Sequence, residues 1–269
     1  MTTENNPRAI LDWEHPTPPT DLIFDDGEPL ESNRHRIAMN VLIRSLQQAW
    51  ADRNDFFTGG NMFIYYSSAQ VRNQDFRGPD FFAVLNVDGT NSRQGWVVWE
   101  ENGRYPDVIV ELMSPSTAKI DQTVKKDLYE QTFHTSDYFV YDPFDPTSLQ
   151  GWHLDHNQQY QSLTPDERGW LWCQKLGLWL GTYEGTIDRE TAVWLRFYDV
   201  AGNLVLLPEE AATAQAQVAV TQAEIAVAQA QAAVAQAEVA AAIREEAAAA
   251  QVARLAAKLR ELGENPEIL

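Results

Sequence analysis

The chain has 269 residues, a formal net charge of −19 and a single cysteine, Cys173, which excludes an intrachain disulfide. The acidic balance argues against a protein that coats nucleic acid through charge alone, although charge screening over about 8 Å leaves room for a local basic groove. No apolar run has the length of a membrane span, and the N-terminus has no basic start followed by an apolar core, so we predict a cytoplasmic protein.

Three segments follow one another along the chain. Residues 1–20 are polar and rich in proline, which is typical of a flexible arm. Residues 21–208 alternate apolar runs with turn signals, as a folded domain does. From residue 209 to residue 269, alanine, glutamine, valine and glutamate dominate, and this composition predicts a long helix.

The first helix of the domain is predicted to open at Glu31 and to run to about Ala51. Its apolar stripe comprises Ile37, Val41, Leu42 and Leu46. Glu31 and His35 are one turn apart and share a face. Glu31 is therefore either a first-turn acid that favours the helix dipole or an accessory carboxylate at an active site.

The stretch from Pro106 to Pro143 reads as strand, turn, helix and strand. Its first apolar run contains one carboxylate, Glu111, and a charge in a buried strand is costly unless it is paired or binds a metal. Asp121, Lys125 and Tyr129 then follow at intervals of four residues, which places them on one face of a helix.

A second carboxylate, Asp80, directly follows Gly78-Pro79 and precedes another apolar strand. Two strand carboxylates that meet can hold a hard divalent cation such as Mg²⁺, and a nearby lysine can stabilise charge on a phosphate. Asp107 lies in the same strand as Glu111, but four strand residues span roughly 13 Å, too far for the two to share one cation. Asp80 is therefore the better partner of Glu111, and Asp107 is expected to cap the start of the strand or to bind solvent.

Structural alternatives stay open for each of these residues. Asp80 could cap its strand. Glu111 could form a buried ion pair with Lys125 or Arg104. Lys125 could pair with Asp121 on the surface of the helix, where such a pair contributes a few tenths of a kcal/mol.

Taken together, these motifs resemble the Uma-type restriction endonuclease family of the PD-(D/E)xK nuclease superfamily. The resemblance covers about residues 21–207. It rests on Pro79-Asp80, on Glu111 within VIVELMSPST, on the Asp121, Lys125 and Tyr129 spacing, and on YFVYDP. It implies an α/β (α+β) fold with a restriction-endonuclease-like mixed central sheet flanked by helices, and Mg²⁺-dependent (or Mn²⁺-dependent) cleavage of DNA.

The resemblance implies a role for each matching residue. Asp80 and Glu111 match the acidic metal ligands, and Leu112 would add its backbone carbonyl. The superfamily places a lysine two residues after the second acid, but this chain has Met113 there. Lys125 on the helix is then the matching catalytic lysine.

Two further residues match less directly. Lys126 neighbours Lys125 but points about 100° away on a helix, so it is the second choice. Glu31 matches an N-terminal acidic position that can assist the metal site. Basic residues available for phosphate contact are Arg34, Arg72, Arg77, Lys125 and Lys126.

In the C-terminal segment, valine and isoleucine recur every seven residues, which favours a coiled coil. A stronger seam near its end comprises Val252, Leu255, Leu259 and Leu262. We therefore predict a homo-oligomer, a dimer in the first instance, formed through residues 209–269. The alternative is a solvated single helix.

The predicted function is a divalent-metal-dependent endodeoxyribonuclease with Asp80, Glu111 and Lys125 at its centre. One alternative is a catalytically inactive nuclease-like module that serves assembly through its C-terminal helix. Another is a metal-dependent phosphohydrolase of nucleotides. His153, His156 and Cys173 lack partners at ligand spacing and are interpreted as ordinary structural residues.

Overall fold

The structure is a computed structural model that describes residues 19–24, 30–73 and 77–263. The arm predicted for residues 1–20 lies outside this range, apart from its last two residues. The chain divides into two compact units, Met1–Pro208 and Glu209–Leu269. In the described part of the chain, no helix combines the length and the apolar character needed to cross a bilayer.

A six-stranded mixed sheet forms the centre of the first unit, with the strand order β1-β3-β5-β6-β7-β8. Only β5 and β6 pair in parallel, and the other neighbours pair antiparallel. The predicted mixed sheet is therefore confirmed. Its strands are β1 Phe56–Gly59, β3 Phe81–Leu85, β5 Val108–Leu112, β6 Asp137–Asp142, β7 Asp145–Leu154 and β8 Tyr160–Ser162.

Two smaller sheets complete the strand set in the described residues. One is a parallel pair, and the other is an antiparallel meander with the order β11-β10-β9. Their strands are β2 Ile64–Tyr65, β4 Trp96–Val97, β9 Leu171–Cys173, β10 Leu178–Ile187 and β11 Glu190–Tyr198.

The central sheet is covered on both faces, and β5 is buried along its whole length. Val108, Val110 and Leu112 point into the larger apolar cluster, together with the first helix and the meander. Ile109 and Met113 point into the opposite cluster, together with Tyr129 and Phe133. This double coverage explains why the strand reads as a continuous apolar run, and it places Glu111 between sheet and helix.

The first helix, α1, spans Asn33–Ala49 and starts two residues later than predicted. Ser32 is the reason, because its hydroxyl accepts the His35 N–H at 3.3 Å and so caps the helix. Glu31 lies outside the helix and is exposed. A second short helix, α2, spans Ser68–Asn73.

Residues 118–133 are helical throughout, but they do not form the single regular α-helix that the spacing predicts. Two short α-helical turns alternate with two π-helical stretches. These are α3 Ala118–Ile120, a first π stretch Asp121–Lys125, α4 Lys126–Leu128 and a second π stretch Tyr129–Phe133. Each π stretch begins at a buried residue, Asp121 and Tyr129, so the irregular turns coincide with the residues that face the sheet.

A long helix, α5, spans 54 residues from Pro208 to Glu261 and forms most of the described part of the second unit. The predicted long C-terminal helix is therefore confirmed. None of its side chains is buried in the described part of the chain. Gly263 follows the helix with a φ of 81°, which suits a glycine at a helix C-terminus.

Candidate metal centre

Asp80 and Glu111 meet where β3 and β5 pair. Phe81 pairs with Val110 in the antiparallel register, so the preceding residue, Asp80, comes opposite Glu111. Asp80 Oδ2 also accepts the backbone N–H of Leu112 at 2.7 Å. The structure thus brings together the two carboxylates that the sequence singled out, and it places the Leu112 backbone on the Asp80 side of β5.

Lys125 reaches the same place from the first π stretch. Its Nζ lies 3.0 Å from Glu111 Oε2 and 2.8 Å from Asp121 Oδ1. The side chains of Glu111 and Asp121 are 0% and 1% exposed, whereas that of Lys125 is 21% exposed. The contact between Asp121 and Lys125 is therefore part of a buried ion cluster, not a pair on the helix surface.

Two tyrosines complete the wall of the cluster. The Tyr129 hydroxyl donates to Glu111 Oε1 at 2.7 Å, and the Tyr138 hydroxyl donates to the Asp121 carbonyl at 2.8 Å. Asp121 and Tyr129 were not among the predicted site residues. Their four-residue spacing around Lys125 was the available signal, since it places all three on one helix face.

Burial and neighbouring charges shift the pKa values of Asp80 and Glu111. Burial, followed by the nearby Glu111 charge, raises the pKa of Asp80 well above its usual range. Burial also raises the pKa of Glu111, although Lys125 partly offsets this. Burial alone would lower the pKa of Lys125, but Glu111 and Asp121 outweigh it and the pKa is raised.

The donor set fits a small divalent cation. Glu111 Oε2 and Asp121 Oδ1 are buried and receive no well-directed hydrogen bond, although both lie at ion-pair distance from Lys125. Asp80 lies opposite Glu111, and the Glu111 charge raises the pKa of Asp80, so a cation between these two carboxylates would relieve their repulsion. Mg²⁺ in particular binds through one or two carboxylates and keeps several waters.

The centre is not a cage built from protein ligands alone. Within the residues that the structure describes, no three histidine, cysteine, aspartate or glutamate side chains gather as a metal-binding group. A cation bound here would therefore take the rest of its shell from backbone, water or substrate oxygens. The oxygen donors of Asp80 and Glu111 are of the type that Mg²⁺ and Mn²⁺ bind, whereas Zn²⁺ prefers nitrogen or sulfur ligands.

Glu31 lies at the margin of the centre. Burial is the main cause of the raised pKa of Asp80, and the Glu31 charge adds a smaller contribution in the same direction. Glu31 is thus near enough to act on Asp80, but it is exposed and precedes the α1 N-cap. Its accessory role stays a prediction.

Asp107 is held at the start of β5, away from the centre. Its Oδ2 accepts the Leu85 N–H at 2.8 Å and lies 3.4 Å from Arg104 Nη2. Arg104 also donates to the Leu85 carbonyl at 2.7 Å. Arg104 is therefore committed to the Asp107 end of the strand, and the buried ion pair of Glu111 forms with Lys125.

Lys126 points away from the carboxylates, as the helical geometry predicts. Its Nζ lies 5.3 Å from the ring centroid of Trp152 and 5.7 Å from that of Tyr160. These are cation–π distances, and they orient Lys126 towards the far end of the sheet. Of the two adjacent lysines, Lys125 is the one that contacts Glu111.

Met113 occupies the position where the superfamily pattern has a lysine. It is 3% exposed and lies on the same face of the sheet as Glu111, two residues further along. Its carbonyl accepts from His35 Nε2 at 3.2 Å, and Gln122 Nε2 lies 3.5 Å from its sulfur. The positively charged side chain beside the carboxylates is therefore that of Lys125 on the helix, and the apolar Met113 side chain occupies the strand position.

His153 and Cys173 converge on a different buried carboxylate, Asp137. His153 Nδ1 lies 2.7 Å from Asp137 Oδ1, and the Cys173 thiol donates to Oδ2 at 3.5 Å. Burial raises the pKa of this thiol well above its usual range. A thiol that stays protonated is a poor nucleophile, so Cys173 is not expected to act as one.

The sequence profile of the family Uma2, described as "Putative restriction endonuclease", matches residues 8–182. A solved structure of a putative nuclease belonging to DUF820 from Anabaena variabilis ATCC 29413 is similar at 11% identity and a TM-score of 0.36, over 55% of this chain and 76% of that one. No curated protein matches the chain. The profile match covers well over half of the sequence, and the chain therefore belongs to the Uma2 family of restriction-endonuclease-type nucleases.

Proposed function

We propose that this nuclease is a divalent-metal-dependent endonuclease that hydrolyses DNA phosphodiester bonds. The observation that carries the proposal is the meeting of Asp80 and Glu111 across β3 and β5, with Lys125 bound to Glu111 at 3.0 Å. Two carboxylates on adjacent strands with one lysine beside them form the minimum set for metal-assisted hydrolysis of a phosphodiester.

Each residue of the centre has a separate task in this reaction. Asp80 and Glu111 would hold Mg²⁺, together with the Leu112 carbonyl. The bound cation would polarise the phosphodiester and lower the pKa of a bound water. Lys125 is cationic at neutral pH and stabilises the charge that develops on phosphate. Tyr129 fixes the orientation of Glu111 through its hydroxyl.

DNA is the proposed substrate, and the charge of the chain determines how it would bind. Arg34 is already held by Glu190 at 2.7 Å, and its guanidinium lies 4.4 Å from the Phe144 ring centroid. The Arg72 side chain lies outside the described residues. With a net charge of −19, the protein has little long-range attraction for DNA. We therefore expect DNA binding to require the divalent cation.

A plasmid cleavage assay tests the proposal. Purified full-length protein is incubated with supercoiled plasmid in Mg²⁺, in Mn²⁺ and in EDTA. We expect cleavage with either cation, none in EDTA, and none for Asp80→Ala or Glu111→Ala. If the wild-type protein neither cleaves DNA nor binds metal, the centre is structural and the inactive-module alternative is correct.

Asp107→Asn is the matched control for the Asp80 variant. Both aspartates follow a proline, and both accept a backbone N–H from a neighbouring strand, at 2.7 Å for Asp80 and 2.8 Å for Asp107. Only Asp80 lies opposite Glu111. Cleavage should survive Asp107→Asn and be lost in Asp80→Asn. Equal loss in the two variants would mean that folding, and not metal binding, had been disturbed.

A further inference from the structure

His35 is a buried polar side chain of α1 to which the proposed reaction assigns no task. It is 2% exposed, and both of its ring nitrogens have partners. Nδ1 lies 2.9 Å from Ser32 Oγ, and Nε2 lies 3.2 Å from the Met113 carbonyl oxygen. A carbonyl can only accept, so Nε2 carries a proton and donates it to this hydrogen bond. The ring thereby ties α1 to the residue that directly follows β5.

The Met113 carbonyl depends on a side chain because the ladder between β5 and β6 ends beside it. Leu112 pairs with Tyr141 in the parallel register, and the Met113 N–H donates to the Tyr141 carbonyl at 2.7 Å. Continued by one step, this ladder would give the Met113 carbonyl the N–H of residue 143. Residue 143 is a proline, Pro143, which has no N–H to donate. His35 supplies the donor that this buried carbonyl would otherwise lack.

Two successive peptide groups are held at this end of β5. Tyr141 holds the peptide between Leu112 and Met113 through its N–H, and the trans geometry then directs the Leu112 carbonyl away from β6. That is the side of β3, where Asp80 accepts the Leu112 N–H at 2.7 Å. The next peptide begins with the Met113 carbonyl and is held by His35. His35 thus fixes the peptide that follows the proposed backbone ligand.

The peptide that His35 holds also begins the connection to the helical segment that carries Lys125. Its second residue is Ser114, whose carbonyl accepts the Ala118 N–H at 2.9 Å, where α3 begins. The peptide therefore lies between the strand that carries Glu111 and the helical residues that carry Lys125. Its position affects both parts of the centre.

We infer that His35 is a positioning residue of the metal centre: it holds the Met113 carbonyl and thereby the orientation of the Leu112 carbonyl towards the Asp80 side. The inference rests on the proposed function, since it concerns a ligand of the same centre. Replacing a residue that holds a metal ligand in place typically weakens metal affinity about 10–100-fold. A histidine that only satisfied a buried carbonyl would affect folding stability and leave the metal affinity of the folded protein unchanged.

Two amide variants of the full-length protein separate these roles. Glutamine places its amide nitrogen near the position of Nε2 and keeps a donor for Met113, whereas asparagine is one carbon shorter and does not reach it. Calorimetric titration with Mn²⁺, on variants whose folding is verified by circular dichroism, should give nearly wild-type affinity for His35→Gln. His35→Asn should bind Mn²⁺ about 10–100-fold more weakly.

Ile37→Val is the control for a general loosening of α1. Ile37 is 1% exposed on the same helix, and its shortening leaves a small cavity while the contact between His35 and Met113 stays in place. Its Mn²⁺ affinity should equal that of the wild type. Wild-type affinity in His35→Asn, equal losses in the two amide variants, or an equal loss in Ile37→Val would overturn the inference and leave the proposed metal centre intact. A wild type that does not bind Mn²⁺ would refute the metal centre itself, and the inference with it.

A second measurement uses the wild type alone and so does not depend on the folding of a variant. Saturation with Mg²⁺ should shift the imidazole nitrogen resonance of His35 in nuclear magnetic resonance spectra. The resonance of His153 should stay in place, because His153 lies against Asp137 and away from the centre. A His35 resonance that does not move, in protein that calorimetry shows to bind the metal, would contradict the positioning role.

Discussion

At the scale of single residues, the centre depends on how Lys125 is shared. Its ammonium group contacts two carboxylates that are almost completely buried, Glu111 and Asp121. Removing the Lys125 ammonium group would leave Glu111 and Asp121 without their positive partner in a low-dielectric environment, where an unpaired charge is costly. Lys125 thus supports the fold as well as the proposed chemistry, and stability measurements should detect it even in the absence of substrate.

We predict that Lys125→Met lowers the free energy of unfolding by about 3–5 kcal/mol, because a buried ion pair loses one partner. Urea denaturation of the metal-free protein measures this loss. Lys126→Met serves as the control, because it removes only cation–π contacts with Trp152 and Tyr160, which contribute about 0.5–1 kcal/mol at exposed sites. Losses of equal size in the two variants would show that the burial of Glu111 and Asp121 does not require the Lys125 charge.

Asp80 should give the metal-free protein an unusual pH dependence. Its folded pKa is raised by burial and then by Glu111, so its stabilising contribution is complete below the unfolded pKa of about 3.9. That contribution is lost as the pH rises through the raised folded pKa. Asp80→Asn removes the titration, and the amide oxygen can still accept the Leu112 N–H.

Unfolding in EDTA across a pH series should therefore show the stability of the wild type falling relative to Asp80→Asn as the pH increases. Addition of Mg²⁺ at neutral pH should reverse the difference, since the cation stabilises only the ionised carboxylate pair. Curves that run parallel across the pH range would contradict the raised pKa of Asp80.

The sequence indicates the acidic pair well because the argument needs only local facts. Asp80 directly precedes one apolar strand and Glu111 lies within another, and the length of four extended residues excludes Asp107 as a co-ligand of Glu111. The roles of Asp121 and Tyr129 required knowledge of which helix face packs on β5. Tertiary packing determines which face lies against β5, and the spacing of residues along one helix does not show this.

At the scale of elements, hydrogen bonds as well as apolar packing hold residues 118–133 against the sheet. The Tyr129 hydroxyl donates to the Glu111 carboxylate, and the Tyr138 hydroxyl donates to the backbone carbonyl of Asp121. The sequence predicts a helix here and the structure confirms one, but the π-helical stretches were not foreseeable. Helix propensities describe single residues in regular helices, whereas these wider turns occur where Asp121 and Tyr129 are buried.

We predict that Tyr129→Phe destabilises the protein by about 1.5–3 kcal/mol, the range for a hydrogen bond to a charged group. Tyr138→Phe removes a hydrogen bond to a neutral carbonyl and should cost only about 0.5–1.5 kcal/mol. Both hydroxyls lie in the same ion cluster, so the pair forms a matched comparison by chemical denaturation. A larger loss for Tyr138→Phe would mean that Tyr129 does not bond to an ionised Glu111.

At the scale of the whole molecule, the described residues form a mixed α/β unit and one long helix. The change in composition at residue 209 marks the same point at which the structure divides the chain. The mixed sheet was foreseeable through the resemblance to a nuclease family. The pairing of β5 with β6 in parallel, and of β3 with β5 antiparallel, depends on contacts between distant segments that a single sequence does not display.

Removal of residues 209–269 should leave a folded unit. The segment contains nine acidic and four basic residues, so its loss changes the net charge from −19 to −14. Since no described α5 side chain is buried, we predict that residues 1–208 fold and cleave plasmid without α5, as measured by circular dichroism and the cleavage assay. Light scattering should report a monomer. An insoluble or unfolded fragment would show that α5 contributes to the stability of the first unit.

The most direct test of the central claim is a calorimetric titration with Mn²⁺ or Mg²⁺ of the wild type, Asp80→Asn, Glu111→Gln and Asp107→Asn. If Asp80 and Glu111 form a metal centre, the wild type and Asp107→Asn bind the cation, whereas Asp80→Asn and Glu111→Gln do not. Absence of binding by the wild type, or binding retained in Asp80→Asn and Glu111→Gln, would contradict the account.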